Sequence, residues 1–158
     1  MKHKKLLSIF MAVSILVVNY SAMSVSADET TTVQTTTSDN VESEGLILSA
    51  SLSITAATKI VRINAKTFGT DTMAKIGFKN IEIQRSSNGS SGWTKELDLN
   101  DDIATNTDAH YKDYEQHSVV GGYYYRVKLD HYAKETGWWF PSSLSVTNYS
   151  NVVWVPAS

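Results

Sequence analysis

The sequence predicts an all-β protein, a two-sheet antiparallel sandwich of about seven short strands, and three observations predict it. Apolar and polar residues alternate with a period of two in several separate segments, as strands with one buried face require. Clusters of Gly, Asn and Ser punctuate those segments. No window sustains apolar residues at spacings of three and four, so an amphipathic helix has no footing.

From the N-terminus, the first 27 residues divide into three parts. Lys2, His3, Lys4 and Lys5 are cationic, Leu6 to Val18 is an apolar run of 13 residues, and Val25-Ser26-Ala27 offers the small side chains of a cleavage site. Spanning a bilayer takes about 20 apolar residues, so the segment reads as a cleavable secretory signal. Cleavage is expected after Ala27, with a secreted, extracellular product and no stable membrane anchor.

Three of the 14 basic residues fall in that leader, which leaves 11 against 16 acids, a net charge of −5. Residues 28–45 carry six threonines, two serines and five acids. Such a stretch buries too little apolar surface to offset its ordering entropy, so it is expected to be a disordered spacer. The remainder, 46–158, is charge-balanced and is the expected β-sandwich domain. Without a basic excess, nucleic acid is not expected as a partner. There is no cysteine, which excludes a thiol nucleophile, a thiolate metal site and disulfides. The lysine-rich leader and the absence of disulfides suit a bacterial exporter of the Gram-positive kind.

Within the domain, Leu48, Ala50, Leu52, Ile54 and Ala56 alternate with Ser49, Ser51, Ser53 and Thr55. Val61, Ile63 and Ala65 follow, and then Ile81 and Ile83. Ser86 to Ser90 is a turn in which Asn88-Gly89 is expected to take positive φ, with a short return strand from Trp93 to Leu97. Asp71 to Ile76 could hold a helical turn. In Tyr123 to His131, the side chains of Tyr123, Tyr125, Val127 and Leu129 face one way. Val146 to Val155, apolar on both faces near its end, reads as a covered terminal strand.

Three segments together resemble a fibronectin type III or related immunoglobulin-like domain of bacterial type. They are Ile81 to Trp93, Tyr111 to Tyr114 with Gly121 to Val127, and Ser150 to Val153. The resemblance covers roughly residues 58–155 and departs from the pattern in having almost no proline. It implies a two-sheet sandwich, a corner tyrosine at Tyr123, and binding or adhesion more often than catalysis. Fold alone does not assign function.

Trp138, Trp139 and Phe140 stand out as candidate binding residues, with Tyr132 as a neighbour. Three consecutive aromatics in an extended loop cannot all point inward, because neighbours alternate sides. An exposed ring offers a flat apolar face to a sugar or a partner side chain. The alternative folds the loop back so that two rings cap the sandwich, which suits the usual burial of large aromatics. Asp98 to Asp102 lacks the glycine and the closing carboxylate of a calcium loop. His110, His117 and His131 are scattered, so no metal and no cofactor are expected. Glu82, Glu96, Asp113 and Glu115 read as surface acids, and no nucleophile elbow is present. The expectation is therefore a secreted, non-enzymatic module that binds polysaccharide, cell-wall material or a surface protein. The rival is a structural or self-associating protein, with a small hydrolase behind both.

Overall fold

The computed structural model describes residues 41–137 and 141–157. Residues 1–40, where the leader and most of the spacer are expected, and the Trp138-Trp139-Phe140 segment lie outside the described residues. The described chain is all-β. Its strands are β1 (Val41–Glu44), β2 (Ile47–Ala57), β3 (Ile60–Met73), β4 (Lys75–Ser86), β5 (Thr94–Leu99), β6 (Asp102–Ala104), β7 (Thr107–Ser118), β8 (Tyr123–Lys134), β9 (Ser143–Tyr149) and β10 (Val153–Val155). They form two antiparallel sheets, one ordered β1-β2-β3-β7 and a larger one ordered β10-β8-β4-β5, in which β6 also pairs with β4 and β9 with β8.

The alternation read from sequence sets the faces. Leu52 and Ile54 of β2, Val61 and Ile63 of β3, Ile81 and Ile83 of β4, and Tyr125, Val127 and Leu129 of β8 are buried together between the sheets. Each such aliphatic contributes about 1.5–3 kcal/mol on full burial. A second, smaller cluster of Ile47, Ala50, Met73, Ile76 and Ala133 fills the other end. One end of β2 breaks the expected pattern. A register shift between Ile47 and Ser49 turns Ile47 inward and leaves Leu48 exposed, as a bulge does by adding one residue to one strand.

A second irregularity, in β4, prepares the outer face of the larger sheet. Asn80 has a φ of 49°, and the pairing with β8 shifts between Lys79 and Glu82. Phe78 and Ile81, three residues apart, thus both point inward. Asn80 Nδ2 donates to Asp130 Oδ2 at 2.7 Å, and its backbone N–H donates to Asp101 Oδ1 at 3.1 Å.

Several expectations are corrected. Ten strands are described rather than about seven. β1 takes in four residues assigned to the spacer, and β7 had no alternation to announce it. Asp71 to Ile76 is extended chain leaving β3 and entering β4, with no helical turn. The last strand is two, β9 and β10, and its end is not covered on both sides: Val152 and Trp154 are exposed while Val153 and Val155 are buried. The break between them is stitched from both sheets. Ser150 Oγ accepts from the Val127 N–H at 2.8 Å, while the Asn151 amide bonds both the N–H and the carbonyl of Ile54 at 2.9 and 3.0 Å. Tyr125, not Tyr123, closes back on the chain. Its hydroxyl donates to the Val120 carbonyl at 2.6 Å.

Candidate functional site

Because β8 buries its odd-numbered residues, its even-numbered ones, Tyr124, Arg126, Lys128, Asp130 and Tyr132, line the outer face of the larger sheet. From Tyr124 to Tyr132 this row runs roughly 27 Å at about 3.4 Å per residue. Neighbouring elements add aromatic rings to it. Trp154 of β10 pairs with Tyr124 in register, their rings 4.9 Å apart and inclined at 61°. That edge-to-face arrangement leaves one ring's face uncovered by the other. Trp154 remains 48% exposed and Tyr149 42%.

Next to Tyr124 in the row lies Arg126. Its guanidinium stacks 4.4 Å from the Trp93 ring and 4.5 Å from the Tyr149 ring, and its Nε donates to Gln84 Oε1 at 2.9 Å. Burial pushes its pKa down, and the nearby Tyr149 offsets part of that. An arginine still remains charged. Further along, Lys79 Nζ sits 3.7 Å from the centre of the Tyr132 ring. Each contact is a cation–π pair, worth about 0.5–2 kcal/mol. Asp130, between these groups, is engaged by neutral donors: Asn80 on one side and the Thr147 hydroxyl at 2.6 Å on the other. Among the described residues no carboxylate lies within ion-pairing distance of Arg126, Lys128 or Lys79.

The turn between β4 and β5 fixes one end of this face. Ser86 Oγ bonds the Ser91 carbonyl and accepts from the N–H groups of Asn88 and Gly89. Asn88 Oδ1 accepts from the N–H groups of Ser90 and Ser91 at 3.0 and 2.9 Å. Positive φ falls on Gly89 and Gly92, at 72° and 63°, and not on Asn88, so the longer loop replaces the tight two-residue reversal. A Cβ on Gly89 would come within 2.9 Å of the Tyr124 ring. The turn therefore rests directly on that ring and presents Trp93 beside Arg126.

Of the four binding candidates, Tyr132 lies on this face, half-buried under Lys79. Trp138, Trp139 and Phe140 fall outside the described residues. The sequence reading missed Trp154, Tyr149, Trp93 and Arg126. Their common signal was the period-two placement of Tyr124, Arg126 and Tyr132 on one face of β8.

A second polar cluster lies between the sheets. Asp102 of β6 accepts from Lys112 of β7 at 3.0 Å and from His110 Nε2 at 2.8 Å. Lys112 also donates to Glu115, and His117 Nε2 lies 2.8 Å from Glu115 Oε1 without hydrogen-bond alignment. Burial opposes the charges, but hydrogen bonding outweighs it. It lowers the pKa of Asp102 through Lys112 and His110, and raises that of Lys112 through Glu115 and Asp102. A lysine clasped by two carboxylates is a fixed cation rather than a base, which suits a clamp between sheets. The remaining acids of the expected surface turn go elsewhere, Asp98 to Lys95 at 2.8 Å and Asp101 to Asn80. A polar cavity of about 240 Å³ sits apart from both clusters, lined by Leu46, Thr70 to Met73, Glu135 and Thr136.

Comparison with protein-family models, with curated proteins and with solved structures gave no match. The chemistry of the site therefore rests on its own residues.

Proposed function

We propose that this chain is a secreted, non-catalytic β-sandwich module, fibronectin type III-like or immunoglobulin-like in kind, that binds polysaccharide at or outside the cell surface. The binding surface in this reading is the outer face of the larger sheet. The observation that carries it is the row of half-exposed rings, Trp154, Tyr124, Tyr149 and Tyr132 on the strands and Trp93 in the turn before β5, left at the surface rather than buried. A pyranose ring presents an apolar face of C–H groups to such an aromatic plane and hydrogen-bonding hydroxyls at its rim. Lys128, Asp130, Gln84 and Thr147 supply polar partners beside the rings. The leader and the Thr-rich spacer fit delivery of the domain outside the cell.

A depletion experiment tests the proposal. The purified chain is mixed with insoluble polysaccharides and with isolated cell wall, then centrifuged, alongside Trp154→Ala and Tyr149→Ala. Depletion of the parent, with both folded variants left in solution, supports the reading. If the variants sediment as the parent does, binding lies elsewhere on the molecule. If the parent never sediments, the carbohydrate reading fails, and light scattering against concentration then measures self-association.

A further inference from the structure

Arg126 is an ordered cation with no counter-ion in sight. Two rings hold its plane, Gln84 fixes its Nε, and no described carboxylate pairs with it. Arg85, Lys95 and Lys112 are matched, with Glu96 at 3.0 Å, Asp98 and Asp102; among the described cations without an ion pair, Arg126 alone is held between two rings. The stacked guanidinium keeps its remaining N–H donors for an oxyanion, the planar fork that suits a carboxylate. Lys128, two residues on along the same face of β8, and Lys79 beyond it repeat the positive charge. The spacing of cations along a row of aromatic rings matches a polymer that alternates flat ring faces with negative charges.

Building on the polysaccharide reading above, we infer that the polymer bound on this face is a uronic-acid polysaccharide, with Arg126 gripping a carboxylate between the Trp93 and Tyr149 rings. A ring-free polyanion meets only half of the site, because nothing in it stacks on Trp154 or Tyr149. A neutral glycan meets only the other half, because it leaves Arg126 without an anion. Two acids share this face and are already engaged: Asp130 accepts from Asn80 and Thr147, and Glu82, opposite Lys128, accepts from Gln84 and lies 3.9 Å from Lys95.

Three soluble probes separate these cases by calorimetry or affinity electrophoresis: polygalacturonate, its methyl ester with the same backbone, and inorganic polyphosphate of equal charge. The expected result is binding of polygalacturonate about tenfold or more tighter than of the ester, as a charge-assisted bidentate pair implies, with polyphosphate weak. Arg126→Gln should erase the preference for the acid over the ester and leave residual binding to both. Trp154→Ala should weaken both polymers alike. Equal binding of acid and ester by the parent overturns the acidic assignment and leaves the polysaccharide reading standing. Polyphosphate binding as tight as polygalacturonate overturns it in favour of simple ion exchange. Failure of both galacturonan probes while a neutral insoluble glycan sediments the chain overturns the uronate assignment alone.

Discussion

Burial holds the His131 imidazole against protonation: it is 0% exposed, and its pKa is pushed from 6.5 to about 4, with nearby Asp130 pulling weakly the other way. Its Nδ1 lies 2.7 Å from the Thr67 hydroxyl, and its Nε2 is a buried atom without a partner. An orphaned lone pair costs less than an orphaned N–H, so Nδ1 carries the proton and donates to Thr67. The unfolded chain takes up a proton first as pH falls. This residue's contribution is therefore intact above about pH 6.5 and is lost progressively down to about pH 4, amounting to about 3 kcal/mol. Denaturant titrations across that range check it. Thr67→Val/His131→Leu removes both partners together, and its stability is expected to match the parent at pH 7 and exceed it at pH 4.5. That His131 faces inward was legible from the β8 alternation. Its partner was not, because Thr67 lies on the other sheet and 64 residues away.

Strands that follow a two-residue period with apolar inner faces, β2, β3 and β8, were readable. β7 was not, and its inner face explains why: His110 and Lys112 point between the sheets and are met by Asp102 and Glu115, so polar residues occupy both faces. A bulge at Tyr114, whose φ is 50°, then shifts the phase again. Lowered for Asp102 and raised for Lys112, these pKa values keep the clamp intact between the ordinary aspartate and lysine ranges, with loss only below about pH 3.8 or above about pH 10.5. The break between β9 and β10 depends on one amide. Asn151→Ala strips both backbone groups of Ile54 of their partner in a buried place and is expected to cost about 2 kcal/mol or more, read as a lower midpoint in urea. In the β4–β5 turn, Gly89→Ala forces a non-glycine residue to positive φ, about 1–2 kcal/mol. The added methyl also pushes on the Tyr124 ring, so glycan binding should fall along with melting temperature.

At the scale of the whole molecule, the two-sheet sandwich followed from the sequence because the strands of both sheets turn their apolar faces toward each other. The candidate site did not follow. Its residues come from β4, β8, β9, β10 and the turn before β5, whose order in the sheet no local pattern dictates, and Trp154 looked like core until its strand proved to be an edge with one exposed face. The most direct test of that face uses the four indoles of Trp93, Trp138, Trp139 and Trp154. Two-dimensional NMR of the purified, isotope-labelled chain follows each indole N–H as a short galacturonate oligomer is added, with single Trp→Phe variants for assignment. The signals of Trp93 and Trp154 are expected to shift together and to saturate at one concentration. Movement confined to Trp138 and Trp139, with Trp93 and Trp154 still, would place binding in the loop after β8 and contradict a site on the sheet.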